Sequence, residues 1–427
     1  MSAPEIDARV PGGGRLLAFR VAQYGALFAA NVLVARALGP SERAQYALPL
    51  ALMALVLVLV DMSVDQASGR ALARGAASLG ELVGIALAVS VGLGLTGAAA
   101  CLIVGVLSAD QLLAGASTTA VALAAAALPF GLAAKALGGL LLRTGRLGGY
   151  GVVSAAAGAA QLGGVALFEL GPGLTAERAL LVFAIATAMM AAGYAAILGR
   201  EVRRRGTRIA LPARGVFGGV LRDGLVLQGA SIGLFLVFRI DLLLVAALTD
   251  ARQAGLYSLA TSLGEIVFVA AVTLAQTGLH RITEDPPDAA AEFTAAFTRR
   301  VVKVGAAVAV VVVAAAYPGI LLLYGRAWLG SVLPLAILVL AAVAITLAGP
   351  AQAYLVREGR LRDISAITLG TLVANVVLNV ALIPLIGIAG AALASLLTYW
   401  ALGLLLARRF RLLVGSRHMS SASAGER

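Results

Sequence analysis

The sequence predicts an all-α polytopic membrane protein: twelve transmembrane helices in two six-helix bundles related by a pseudo-twofold axis along the membrane normal. Composition, the spacing of apolar runs and a repeat of about half the chain length carry that prediction. Of 427 residues, 61% are hydrophobic and only 13% charged. Counting glycine in and tyrosine out gives roughly 71% apolar, against 45–50% in soluble domains. So few charges cannot cover a core of that size in water, and so much apolar surface excludes disorder. The remaining solvent is lipid.

A spanning helix needs about 20 largely apolar residues. Runs of that kind, bounded by charges or turn residues, fall at 16–35, 46–68, 82–107, 112–142, 148–168 and 179–198. A basic segment follows, and then six more runs at 224–248, 255–279, 304–324, 331–356, 364–386 and 387–406. Lipid offers the backbone no hydrogen-bond partner, so runs this long and apolar are expected to be continuous helices. The domains read as an N-terminal bundle over 1–199, a basic cytoplasmic linker over 200–222, a C-terminal bundle over 223–411 and a cytoplasmic tail over 412–427.

Charge tests that count, because one missed helix would invert every later loop. With a cytoplasmic N-terminus, 25 of the 33 basic residues fall inside, seven of them in the segment 200–222. Both termini are therefore expected in the cytoplasm. The net charge of +12 reports this orientation, and no nucleic-acid partner is expected. Residues 1–15 lack the apolar core of a removable signal, so the first span is expected to be retained. A single Cys101, with His280 and His418 the only histidines, gives neither a disulfide framework nor a His-based zinc site. No metal and no cofactor are expected.

The chain also repeats itself. RTGRL at 143–147 recurs as REGRL at 357–361, an offset of 214. NVLVARALG from Asn31 aligns with DLLLVAALT from Asp241, and Tyr46 with Tyr257, at offsets of 210 and 211. Six helices per repeat is an even number, so the repeats run the same way through the bilayer, and substrate is expected between them near the midplane.

Polar groups inside spans mark where lipid cannot be the neighbour. Arg239 lies about 22 Å from the cytoplasmic start of its span at 1.5 Å per residue. Gln228 is eleven residues before it, on the same stripe; Arg20 and Asn31 have the same spacing in the first span, with Tyr24 between them. Lys135 sits some 12 Å in from Arg143 by that rise. Arg20, Tyr24, Asn31, Lys135, Gln228, Arg239 and Asn375 are the candidate substrate-binding residues. Asp61, Asp241 and Glu265 are the candidate ion-coupling or charge-compensating carboxylates, of which neutralising a neighbouring cation is the commoner use. Asp65 shares the second span. Ser258, Thr261, Ser262 and Gln276 line one side of the eighth. Asn375 and Asn379, one turn apart, either line a cavity or join helices by hydrogen bonds. The loops expected outside are short, and none pairs a histidine with a carboxylate, so no catalytic residue is assigned.

Three stretches carry a resemblance: RIDLLLVAALTDARQAGLYSLATSLGEIV from Arg239, LVREGRLRDISAITLGTLVANVVLNVALIPLIGIAGAALAS from Leu355, and more loosely ALGPSERAQYALPLA from Ala37 with the Asp61 region. The sequence resembles the polysaccharide transporters, the flippases of lipid-linked oligosaccharides, in the multidrug/oligosaccharidyl-lipid/polysaccharide exporter (MOP) superfamily. The resemblance implies a twelve-helix V-shaped transporter with a cationic cavity. Such a protein moves undecaprenyl-pyrophosphate-linked sugars from the inner to the outer leaflet of the bacterial plasma membrane, by alternating access. Its expected partners are a lipid-linked anionic oligosaccharide and membrane lipid, with a polysaccharide polymerase and glycosyltransferases encoded nearby. Coupling to H+ or Na+ stays open. The rival readings are a cation-coupled multidrug exporter of the same superfamily and a membrane-embedded glycosyltransferase or ligase.

Overall fold

In the computed structural model residues 13–425 are described. Residues 1–12 with Arg9, the side chain of Gln276 and those from Arg417 onward lie outside that set. Every described element is a helix: α1 Gly13–Val60, α2 Val64–Ala73, α3 Leu79–Leu107, α4 Ala109–Leu112, α5 Thr118–Arg143, α6 Leu147–Leu170, α7 Ala176–Arg204, α8 Arg214–Leu248, α9 Ala251–Gln276, α10 Leu279–Glu284, α11 Pro287–Leu323, a 3-10 turn Arg326–Ser331, α12 Val332–Arg357, α13 Leu361–Ile386 and α14 Ile388–Gly425.

Ten stretches among the described residues are long and apolar enough to cross a membrane. The first, Gly14–Ala73, takes in two expected spans, and α8 carries the seventh. The twelve expected spans are carried by helices in the expected order, except that the second is broken at 61–63 and the fourth begins only at Thr118, not at 112. This is an all-α polytopic membrane protein.

The chain forms two compact units. Unit one comprises the chain to Leu38, Pro49–Asp110 and Gly115–Ile232; unit two comprises Gly39–Leu48, Gln111–Ala114 and Gly233 onward. The change of unit falls inside α8. In unit one, α5 packs on α2, α3 and α7, with α6 on α7; in unit two, α12 packs on α9, α11 and α14, with α13 on α14. These are the same positions in a six-helix order. The most apolar stretch of each central helix is 61% buried, against 17–28% for α3, α6, α7, α11 and α13, so α5 and α12 are the cores of their units.

The repeated pentapeptides have one backbone. After α5, Gly145 (φ +74°) and Arg146 donate to the carbonyls of Leu142 and Leu141; after α12, Gly359 (φ +70°) and Arg360 donate to those of Val356 and Leu355. Both are left-handed helix stops with a glycine at the position that disfavours a Cβ. In unit one, Glu201 of α7 then accepts from Arg146 at 2.5 Å and Arg205 at 3.0 Å. Asp363 of α13 does the same in unit two for Arg360 at 2.7 Å and Arg409 at 2.9 Å. The duplicated sequence therefore keeps its turn, whose arginine is paired in each unit with a carboxylate from a different helix position.

Two expectations are corrected. The connection between the first two spans is not a loop: α1 stays helical through it, broken only at Gly39, whose backbone (φ 67°, ψ 176°) is open to glycine. The second span, expected to be continuous over 46–68, is interrupted at Asp61–Ser63, where Met62 and Ser63 have positive φ (49° and 42°). A break at membrane depth frees backbone groups that lipid cannot satisfy. Gln228 of α8 meets this need: its amide donates to the Val58 carbonyl and accepts from the Ser63 hydroxyl at 2.7 Å. Gly224, one turn earlier, lets α8 approach, since a Cβ there would lie 2.1 Å from the Met62 carbonyl oxygen.

The segment between α7 and α8 has no regular secondary structure over residues 207–213. It lies along α3, where Cβ atoms on Gly80 and Gly84 would each fall 2.2 Å from the carbonyl oxygens of Arg208 and Ala210. Two glycines one turn apart thus make the groove that holds this strap. Ser78 and Glu81 form a reciprocal capping box at the start of α3 that fixes the groove's end.

Candidate functional site

In unit one, α1 carries Arg20 and Tyr24 one turn apart on one face. The Arg20 guanidinium donates to the Gln23 amide oxygen at 3.1 Å and lies over two rings, 5.0 Å from the Tyr150 centroid and 5.5 Å from that of Tyr24. Both are within cation–π range. Tyr150 on α6 is held by stacking on Tyr194 of α7 at 5.2 Å and 7°, and the Tyr194 hydroxyl meets the Ser154 hydroxyl at 2.6 Å. The described partners of Arg20 are therefore all uncharged. Tyr24 leaves 49% of its surface uncovered by the chain.

The other two cations of the candidate path are neutralised. Lys135 on α5 forms an ion pair with Asp61, which is 4% exposed at the break in the second span. Arg239 on α8 pairs with Glu265 of α9 at 2.5 Å, their side chains 35% and 41% exposed. Asp241, two residues on, is buried and has its own hydrogen-bond partners: it accepts from the Tyr257 hydroxyl at 2.5 Å, the Ser395 hydroxyl at 3.1 Å and the Leu242 amide at 2.8 Å. Expectation and structure agree that Arg239 and Asp241 serve different neighbours.

Arg239, Asp241 and Glu265 border one chamber of about 260 Å³ within unit two, with Thr261 beside them and Phe235, Phe238, Phe268 and Tyr399 among its walls. That chamber holds one cation and two carboxylates. Among the described residues no three His, Cys, Asp or Glu side chains converge on a point that could hold a metal ion.

Several candidates are placed as helix ties. Gln228 is 3% exposed and has both ends of its amide engaged at the break described above. It lies in unit one while Arg239 lies in unit two, so the stripe that joined them is divided. Asn375, fully buried, donates to the Thr398 hydroxyl of α14 at 3.0 Å, and Asn379 donates to the Asn375 carbonyl at 2.8 Å. Asn31 is half-buried on α1. The polar side of α9 also divides: Thr261 and Glu265 face the chamber, whereas Ser258 and Ser262 accept from Arg43 at 3.1 and 3.4 Å.

Arg43 itself was missed. Lying between the first two expected spans, it is 1% exposed and lies over the Trp328 ring at 5.7 Å. It holds the α1 segment Gly39–Leu48 in unit two.

No protein-family model and no curated protein sequence matches the chain. Solved structures do. An inward-facing multidrug resistance MATE family transporter of the MOP superfamily aligns over 93% of this chain and 96% of its own, with TM-score 0.73 at 14% identity. The lipid II flippase MurJ, in an inward closed conformation, aligns over 92% and 87% with TM-score 0.72 at 13% identity. A MOP superfamily transporter from Pyrococcus furiosus, described as having a binding pocket of reverse polarity, aligns over 94% of both chains with TM-score 0.61 at 14% identity. The chain has the fold of the MOP superfamily transporters.

Proposed function

We propose that the chain is a MOP superfamily transporter that flips undecaprenyl-pyrophosphate-linked oligosaccharide from the inner to the outer leaflet of the bacterial plasma membrane by alternating access, with both termini cytoplasmic. The observation that carries this reading is the setting of Arg20. Its guanidinium is half-buried, and its described partners, an amide and two tyrosine rings, carry no charge. In a low-dielectric region a dianionic head group crosses only where such charge compensates it. The flanking tyrosines add aromatic faces, with Tyr24 half uncovered, against which the apolar face of a sugar ring can lie.

Lys135 and Arg239 act as reserve cations in this reading. Each is held by a carboxylate, so an anion must displace Asp61 or Glu265 to use it. The exchange limits the energy released on binding, which suits a substrate that has to leave again. Any coupling to H+ or Na+ would act on the same carboxylates.

One observation favours a second reading. The chamber in unit two has two carboxylates to one arginine and four aromatic walls, which suits an organic cation and hence a multidrug exporter. A single preparation separates the two. Vesicles containing the purified full chain should move a labelled undecaprenyl-pyrophosphate sugar between leaflets and leave ethidium where it is. Ethidium movement without head-group transfer would replace the first reading by the second.

A further inference from the structure

The strap between α7 and α8 belongs wholly to unit one. Its start is pinned by Thr207, whose amide and hydroxyl both donate to the Val202 carbonyl, at 3.2 and 3.1 Å. Beyond it the carbonyls of Arg208 and Ala210 turn to α3 over Gly80 and Gly84, and the tip of the Ile209 side chain lies 3.9 Å from where a Cβ on Gly199 of α7 would stand. All three glycines are close to the polar end of a span. Gly80 and Gly84 stand in the first two turns of α3, and Gly199 lies about 7.5 Å before Arg204, the last residue of α7, at 1.5 Å per residue. The strap therefore runs at the edge of the apolar slab, across the groove between two spans.

With its carbonyls turned to α3, the strap leaves its side chains uncovered. Ile209 is 46% exposed and Leu211 65%, and Arg203, Arg204, Arg208 and Arg214 are exposed beside them. The carboxylates of this region are taken by other groups: Glu201 by Arg146 and Arg205, Asp223 by Arg74, and Glu81 by the amide and hydroxyl of Ser78. Among the described residues none pairs with the four arginines. Like charges this close together repel one another, and the less so the more anionic their surroundings. Apolar side chains flanked by cations at the end of a span are what an anionic leaflet attracts, since phosphates meet the arginines while the aliphatic groups meet the first carbons of the lipid chains. We infer that the strap is a binding site for an anionic phospholipid of the phosphatidylglycerol kind, its phosphate among these arginines and its upper chain carbons against Ile209 and Leu211. The site needs the chain in a bilayer but no cargo, so it stands apart from the transport reading.

The test uses the full chain with a fluorophore on Leu211→Cys, in phosphatidylcholine nanodiscs that carry a small fraction of either phosphatidylglycerol or phosphatidylcholine spin-labelled high on one chain. Cys101, the other cysteine, is buried. Spin-labelled phosphatidylglycerol should quench the fluorophore at a several-fold lower fraction than spin-labelled phosphatidylcholine, and the preference should fall as salt rises. Arg208→Gln alone should reduce it by about fivefold, the scale of one cation at a charged head-group layer. Arg203→Gln, Arg204→Gln, Arg208→Gln and Arg214→Gln together should abolish it. Arg299→Gln, Arg300→Gln, Lys303→Gln and Arg362→Gln together, which remove four exposed cations from unit two, should leave it intact. Quenching by neither lipid would place the strap away from the bilayer and overturn the site. Equal quenching by the two lipids would overturn it too, as would a preference that the strap variant keeps or that the unit-two variant loses as fully. If the fourfold strap variant lowers the melting temperature, Arg208→Gln alone decides.

Discussion

Glu265→Gln should tighten binding of an anionic head group. In the wild type the Glu265 carboxylate holds Arg239 at 2.5 Å, so an incoming phosphate competes with it. The size of that competition follows from exposure. Truncating one partner of a fully buried pair costs about 3–5 kcal/mol, whereas exposed pairs couple by roughly 0.2–1 kcal/mol. With side chains 35% and 41% exposed, this pair lies between the two limits. About 1–2 kcal/mol is the fitting value, a factor of roughly 5–30 in affinity. The assay is titration of the full chain in nanodiscs with a water-soluble sugar pyrophosphate, at two salt concentrations. The gain should shrink as salt rises, because partly exposed charges are screened. Arg239→Ala should weaken binding, and adding Glu265→Gln to it should change nothing further. An affinity in Glu265→Gln equal to or below the wild type would refute the exchange.

Three further outcomes test the structure. Lys135→Met strands the Asp61 carboxylate, 4% exposed, without its partner and should destabilise by about 3–5 kcal/mol; Asp61→Asn in the same chain should restore most of the lost melting temperature. Gln228→Leu removes the donor to the Val58 carbonyl and the acceptor of the Ser63 hydroxyl, for a loss of about 1–3 kcal/mol in thermal unfolding in nanodiscs. Gly145→Val and Gly359→Val should lower the melting temperature alike, each forcing a β-branched residue to φ near +70° at a cost of about 1–2 kcal/mol or more. Asn at either position should be milder, since it tolerates that conformation.

The twelve helices were legible because lipid leaves the backbone no alternative, so hydropathy alone marks where each must run. The repeat was legible because RTGRL and REGRL encode a glycine-dependent helix stop, which fails if the glycine drifts. Charge partners were not. Lys135 and Asp61 are 74 residues apart in sequence and meet only because α2 packs on α5. A polar residue in an apolar run says that lipid is excluded, but a cavity and a neighbouring helix exclude it equally well. Gln228 was read as facing substrate and Asn375 as either lining a cavity or joining helices; both are buried, with hydrogen bonds to a neighbouring helix segment. Arg43 was obscured by its surroundings: ALGPSER reads as a polar turn, and nothing local reveals that Ser258, Ser262 and Trp328 enclose it. The setting of Arg20 was half visible, since Tyr24 follows it by one turn, while Tyr150 comes from a helix 130 residues away in sequence.

The most direct measurement is leaflet transfer of a labelled undecaprenyl-pyrophosphate sugar by vesicles containing the wild type, Arg20→Lys or Arg20→Ala, each reconstituted at equal amounts. The account predicts that Arg20→Ala abolishes transfer and that Arg20→Lys keeps a part of it, because a point charge survives among the tyrosines. Transfer by Arg20→Ala at the wild-type rate would contradict it.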